Sequence, residues 1–238
     1  MTDLSWLTER PIAHRGLHDK RNHIIENTSS AFALAINNDF AIETDLQLTK
    51  DGEAAVFHDA TQDRLLKTNG PVLDVTMKQL KQASFKDTKD HVQSLGELLD
   101  QVAGKVPLVL EIKSQWGNEG ALERRIADVL KGYKGLAVLM SFNPRTIAHV
   151  RNYTPKHPRG LVAERIVLKH LTSFSQTRFN FIAHDVRNLP ALLPLCAKYL
   201  FGMPLLTWTV RSNQDLKRAR WADQIIFENF DPKTLISP

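Results

Sequence analysis

The sequence predicts an α/β protein, and within that class a (β/α)8 TIM barrel carrying a hairpin arm and a small insertion after its second strand. Three observations predict it. Short β-branched or apolar runs recur eight times, helical patterns fill most of the gaps, and one further run breaks the alternation in a way that only a hairpin accommodates. Alternating strands and helices imply parallel pairing through crossover helices. Eight such units in 238 residues suit a closed barrel better than the alternative, an open doubly wound sheet.

The eight runs fall at about 11–14, 40–48, 107–112, 136–141, 160–163, 179–184, 204–210 and 224–227. Helical periodicity occupies 29–37, 95–102, 119–130, 145–150, 189–199 and 213–219, with Ser94 and Glu97 spaced as a capping box. The exception is 54–58, which reads as a strand although only the turn around Lys50, Asp51 and Gly52 separates it from 41–48. Parallel neighbours need about a dozen connecting residues, so this ninth strand returns antiparallel and stands outside the set of eight. A two-residue turn at Asp51 and Gly52 would pair Lys50 with Glu53 and bring Asp45 opposite His58; a one-residue slip would turn His58 away. Residues 60–92 hold turn signals at Asn69, Gly70 and Pro71 and a short amphipathic patch at 77–83, but no core strand. They read as the insertion.

With 42% hydrophobic residues the chain can bury a full core, and the lack of repeats or linkers makes residues 1–238 a single domain. No run approaches the roughly 18 apolar residues of a membrane helix, and the opening MTDLSWLTERP carries acids where a signal peptide carries bases. A cytoplasmic protein without stable membrane insertion is expected. The single cysteine, Cys196, lies among Leu192, Leu193 and Leu195 and reads as a core hydrophobe. Lys plus Arg exceed Asp plus Glu by 31 to 26, spread along the chain, which argues against a nucleic-acid partner and suits a small anionic one.

The chemistry lies at strand ends. The period of two in Ile42 to Leu48 puts Glu43, Asp45 and Gln47 on one face, and in a barrel that face is the interior near the C-terminal rim. Buried like charges require a cation or a basic partner. Glu111 and Lys113 repeat the spacing at the end of the third run, and His14 and Arg15 end the first, with Gly16 giving the chain room to turn. Each piece alone is compatible with a structural role. Jointly, charged groups ending three strands and one hairpin arm point to a site. Three carboxylates and a divalent cation leave one negative charge, Arg15 and Lys113 add two positive, and a bound phosphodiester anion brings the sum to zero. All-oxygen ligation suits a hard cation, Mg²⁺ or Ca²⁺.

Taken in order, His14-Arg15-Gly16, Glu26-Asn27-Thr28, Glu43-Thr44-Asp45, Thr49-Lys50-Asp51-Gly52, Val56-Phe57-His58-Asp59 and Glu111-Ile112-Lys113 resemble the glycerophosphodiester phosphodiesterase family. The resemblance continues in Asp63-Arg64 and Asn69-Gly70 within the insertion and resumes at Ser141-Phe142 and Trp208-Thr209-Val210. It implies a barrel related to phosphatidylinositol phospholipases C. His14 and His58 would act as general acid and base, Glu43, Asp45 and Glu111 as metal ligands, and Arg15 and Lys113 as phosphate contacts. Glu26 and Asp59 would support them, while Asn27 and Thr28 read as caps of the following helix. Trp208, Phe142 and Trp116 could line an alcohol pocket, with core packing an equal reading for Trp208. His184-Asp185 could reach the rim; His18 and His23 fall in a loop and stay outside the catalytic list. The chain departs from the family pattern at Arg211 and at Glu228-Asn229, positions that the resemblance leaves outside the catalytic set.

The implied reaction is metal-dependent hydrolysis of a small phosphodiester to sn-glycerol 3-phosphate and an alcohol. Two alternatives remain open: a lysophospholipase D-like activity, which would want an apolar mouth, and a catalytically silent phosphate-binding barrel, which would be expected to lack a histidine or an acid.

Overall fold

The computed structural model describes residues 3–113, 120–165 and 174–232. Eight strands form a ring in which every neighbour is parallel: β1 (Ile12–Ala13), β2 (Ala41–Leu48), β4 (Leu108–Ile112), β5 (Ala137–Ser141), β6 (Arg159–Ala163), β7 (Phe181–Asp185), β8 (Leu205–Val210) and β9 (Gln224–Phe227). The ring closes because β1 pairs with β9 on one side and β2 on the other. The open sheet is thereby excluded. β3 (Ala54–Val56) returns antiparallel to β2 and lies outside the ring, as the short connection requires.

Alternation along each strand divides the apolar residues between two layers. Ala41, Val109, Val138, Met140, Val162, Phe181 and Leu206 meet in one cluster, whereas Ile42, Leu46, Leu108, Leu110 and Leu139 join Phe32, Leu98, Leu99 and Ile126 of the helices. The first cluster fills the barrel and the second seals it to its helical coat.

The α-helices among the described residues are α1 (Ser29–Asn37), α2 (Met77–Gln82), α3 (Leu95–Val102), α4 (Ala121–Leu130), α5 (Pro144–Tyr153), α6 (Phe174–Thr177), α7 (Leu192–Phe201) and α8 (Asn213–Ala219). The start of α3 carries the expected capping box: Ser94 Oγ accepts from the Glu97 amide, and Glu97 Oε2 accepts from the Ser94 amide at 2.8 Å. The short α6 has too few residues to show a helical period, and the sequence did not predict it.

The hairpin register differs from the expectation by one residue. Leu46 opposes Val56, Gln47 opposes Ala55 and Leu48 opposes Ala54, so Phe57 rather than His58 faces Asp45. Asp51 causes the shift. Its Oδ1 accepts from the Thr49 hydroxyl at 2.6 Å and the Met77 amide at 2.9 Å, while the Lys50 amide donates to Val75 at 2.9 Å. Lys50 therefore joins the loop, and Thr49 pairs with Glu53 across three residues, with Gly52 at φ +80° completing the turn.

The insertion has an apolar cluster of its own. Leu66, Val72, Met77, Leu80 and Phe85 pack with Ile25 from the loop before α1 and with Ala55 and Phe57 from the hairpin arm.

Candidate active site

Register places the acids. In the parallel pairing of β2 with β4, Asp45 lies directly against Glu111, and Glu43 stands two residues below Asp45 on the same interior face. The three carboxylates offer ligand atoms that all lie within 4.8 Å of one another. Each side chain is less than a tenth exposed, and Glu43 Oε1 is buried without a hydrogen-bond partner among the described residues. That orphaned oxygen, together with an all-oxygen donor set, fits a hard divalent cation.

The electrostatics differ sharply among the three. Burial would raise the pKa of Asp45, but Lys113 and Arg15 outweigh it and hold the carboxyl far below the usual carboxylate range. Lys113 Nζ lies 2.8 Å from Asp45 Oδ1, Arg15 Nε 3.3 Å from Oδ2, and Asn27 Nδ2 donates to Oδ2 at 2.9 Å. Burial and the charges of Asp45 and Glu111 push Glu43 well above its ordinary value. Burial pushes Glu111 up to about 7 even though Lys113 contacts it directly. An ion shared by the trio would relieve this crowding.

Asn27 needs a correction, because it caps nothing. It is buried at φ +57°, accepts from the Thr44 hydroxyl at 2.7 Å and orients Asp45, whereas Thr28 does cap α1. Left-handed backbone at Arg15 (φ 56°) and Gly16 (φ 79°) turns the chain after β1. A Cβ at Gly16 would stand 2.9 Å from the Ala31 Cβ, so the sharp turn depends on glycine.

The two histidines line one cavity with Glu43 and Glu111. His14 continues β1: its amide donates to Phe227 O at 2.9 Å, and its Nδ1 lies 2.5 Å from Glu228 Oε2. A carboxylate can only accept here, so Nδ1 carries the proton and Nε2, 3.9 Å from Glu43 Oε2, turns its lone pair to the site. Burial lowers the His14 pKa, and the bond to Glu228 offsets part of that. His58 arrives despite the slipped register because the ladder ends at Val56 and Gln47 Nε2 holds the His58 carbonyl at 2.8 Å. Its Nδ1 lies 2.7 Å from Asp59 Oδ1.

A cavity of about 360 Å³ gathers His14, Arg15, Glu43, His58, Glu111 and Lys113 with Phe142 and Trp208. Trp208 does both things considered for it: it lines the cavity and packs half-buried against the barrel interior, with Phe142 edge-on at 5.4 Å. The far wall carries Glu164, Asp185, Arg187, Arg211 and Asp215. Asp185 thus reaches the rim, while His184 alternates away and is buried. Trp116 lies outside the described residues.

Glu228 and Arg211 are a second correction. Glu228 touches His14, Arg211 Nε donates to Glu228 Oε1 at 2.6 Å, and His18 Nε2 stands 3.5 Å from Oε2. Sequence reasoning missed all three contacts. The available signal was barrel closure itself, which makes the residue after the last strand a neighbour of the residue after the first.

Comparison with known proteins bears on the whole chain. Residues 14–231 match the model of the glycerophosphoryl diester phosphodiesterase family. A glycerophosphodiester phosphodiesterase of Caldanaerobacter subterraneus is 32% identical, covering 95% of this chain and 96% of its own. One from Bacillus subtilis is 28% identical over 92% of this chain and 83% of its own. Among solved structures, a phosphodiesterase of Oleispira antarctica in complex with the product sn-glycerol 3-phosphate superposes with a TM-score of 0.83 at 21% identity, covering 94% of both chains. The glycerophosphodiester phosphodiesterase of Thermotoga maritima superposes at 0.74 with 20% identity, over 92% of this chain and 94% of that one. Those structures share the barrel. With the family model spanning nearly its full length, the chain belongs to the glycerophosphoryl diester phosphodiesterase family and is an enzyme of that class.

Proposed function

We propose that the enzyme hydrolyses small, water-soluble glycerophosphodiesters to sn-glycerol 3-phosphate and an alcohol, with His14 and His58 as base and acid and a divalent cation held by Glu43, Asp45 and Glu111. One observation carries the reading. Two imidazoles, each oriented through Nδ1 by a carboxylate, flank three buried acids that share a site with Arg15 and Lys113.

Burial lowers the His14 pKa, which suits its free Nε2 to accept the proton of the attacking hydroxyl, either that of water or the substrate's own beside the phosphate, the cyclic ester then being opened by water. Glu228 stabilises the imidazolium that results. His58, tied to Asp59, protonates the leaving alcohol. Arg15 and Lys113 grip the phosphate oxygens and neutralise the charge that grows there. Mg²⁺ or Ca²⁺ on the acid trio would supply further charge neutralisation at phosphorus. Sn-glycerol 3-phosphate, the product seen in the Oleispira antarctica structure, is the product proposed here. Beyond the acids the cavity lining carries Glu164, Asp185, Arg187, Arg211 and Asp215 alongside Phe142, Val162 and Trp208, and that density of charge favours a soluble alcohol over a lysophospholipid. The presence of both histidines and all three acids speaks against a silent barrel.

The test is direct. With Mg²⁺ or Ca²⁺ the purified protein should release sn-glycerol 3-phosphate from glycerophosphocholine faster than it turns over lysophosphatidylcholine. EDTA should abolish the reaction, and His14→Ala should reduce it by at least ~10²-fold. Full turnover under either condition removes the mechanism.

A further inference from the structure

Arg64, a residue of the insertion that the proposed mechanism does not use, makes four hydrogen bonds to two carboxylates. Its Nε donates to Asp59 Oδ2 at 2.6 Å and its Nη2 to Asp59 Oδ1 at 3.1 Å. On its other edge, Nη2 donates to Glu26 Oε1 at 2.7 Å and Nη1 to Glu26 Oε2 at 2.9 Å. Asp59 Oδ1 also meets His58 Nδ1, and Glu26 Oε1 also accepts from Arg15 Nη1 at 2.7 Å. One planar guanidinium thus lies between two carboxylates, each already committed to a residue of the proposed reaction.

We propose that Arg64 is a positioning residue that locks the acid-base imidazole of His58 and the phosphate-gripping guanidinium of Arg15 into one fixed geometry. The inference rests on the mechanism proposed above. The side chain of Arg64 is 46% exposed, so solvent screens much of its charge. Its value lies in orientation, which a bidentate fork on both edges supplies and a point charge does not.

The insertion is built to hold this arrangement. Ile25, Phe57 and Leu66 are almost fully buried in its apolar cluster, and the first two immediately precede Glu26 and His58. Leu65, beside Arg64, packs against the same cluster. Three separate stretches of chain are therefore pinned at adjacent positions before any polar contact forms, which lowers the entropy cost of assembling the bridge.

The experiment compares wild type, Arg64→Met, Arg64→Lys, Asp59→Asn, Glu26→Gln and the double variants of Arg64→Met with each. Turnover and KM for glycerophosphocholine and for glycerophosphoethanolamine, inhibition by sn-glycerol 3-phosphate and the melting temperature are measured on each folded protein. Arg64→Met should lower kcat by about 30-fold and weaken product inhibition several-fold, with a melting temperature close to wild type. Asp59→Asn should reproduce mainly the kcat loss and Glu26→Gln mainly the weaker product binding. In the double variants Arg64→Met should add less than ~3-fold to the matching defect, since one chain of contacts is already broken. Arg64→Lys should recover only a small part of kcat, and added guanidinium should restore turnover of Arg64→Met. A fully additive double variant, a wild-type kcat in Arg64→Met, or full recovery in Arg64→Lys overturns the inference. So does a loss confined to one head group, which would make Arg64 a substrate contact. If wild type itself shows no hydrolysis, the proposed mechanism falls first; if only the Arg64 variants behave like wild type, the inference alone falls.

Discussion

The two histidines are held by the same chain of groups, imidazole to carboxylate to arginine, but by different parts of the molecule. On one side His14, Glu228 and Arg211 are assembled by the barrel wall, because β1 and β9 are adjacent in the closed ring. On the other His58, Asp59 and Arg64 are assembled by the insertion, outside the ring. The first imidazole is 12% exposed and the second 31%. Arg211 is 53% exposed and makes one side-chain contact with its carboxylate, whereas Arg64 grips two carboxylates with four. A buried imidazole needs its carboxylate more, since little water is available to replace it. An imidazole on an excursion needs its arginine more, since no strand ladder fixes it.

The sharpest way to break this contrast is Glu228→Gln. It should lower kcat by about 10²- to 10³-fold, more than Asp59→Asn, because a neutral amide cannot stabilise the imidazolium that forms in a dry site. The pH profile carries a sign. Burial lowers the His14 pKa, Glu228 and more weakly Asp45 raise it, and Arg15 lowers it, so loss of the Glu228 carboxylate removes most of what opposes burial. The rate falls when the base becomes protonated, so the acid limb of kcat/KM should move to lower pH in Glu228→Gln. An unmoved limb would mean that His14 is not the base.

Arg211→Met provides the smaller comparison. With one contact from a half-exposed side chain, its removal should cost about 3-fold in kcat, roughly a tenth of the effect expected at Arg64. Equal losses at the two arginines would show that the insertion confers no special positioning.

The same contrast explains what could be read from the sequence. Glu43, Asp45 and Glu111 were legible because a strand's period of two fixes their face, and parallel neighbours that end at one rim bring Asp45 and Glu111 to one level with Glu43 two residues below. His14 and Arg15 were legible as the end of the first strand. Glu228 was not, because 214 residues separate it from His14 and only the closure of the ring makes them neighbours. His58 was placed at the site by a turn that does not form; Asp51 bonds to Thr49 and Met77, and no local pattern announces a partner so far down the chain. Asn27 was read as a cap because its type and position suit one, and its left-handed backbone, which swings the amide onto Asp45, is a tertiary outcome. What the sequence showed was set by periodicity; what it hid was set by loops and by closure of the ring.

Between the two histidine arms, the acid trio offers a test read in stability rather than rate. In the metal-free protein Glu43 and Glu111 have raised pKa values, Glu111 to about 7 from an ordinary value near 4.5. Between those two pH values the folded protein binds more protons than the unfolded chain, so its stability falls as pH rises through the window. Asp45 works in the opposite sense: its lowered pKa contributes stability above the ordinary carboxylate range, lost only in strong acid. The melting temperature of the EDTA-treated protein should therefore drop by a few degrees between about pH 5 and 7. Cation binding requires deprotonated ligands, so the rise in melting temperature produced by Mg²⁺ or Ca²⁺ should grow across the same window. Glu43→Gln should flatten both trends, because it removes a carboxyl whose pKa is raised without the ion and which must ionise to bind it. A metal-induced shift that is independent of pH, or unchanged in Glu43→Gln, would mean that the cation binds elsewhere and that the two arms flank an acid cluster with no ion to share.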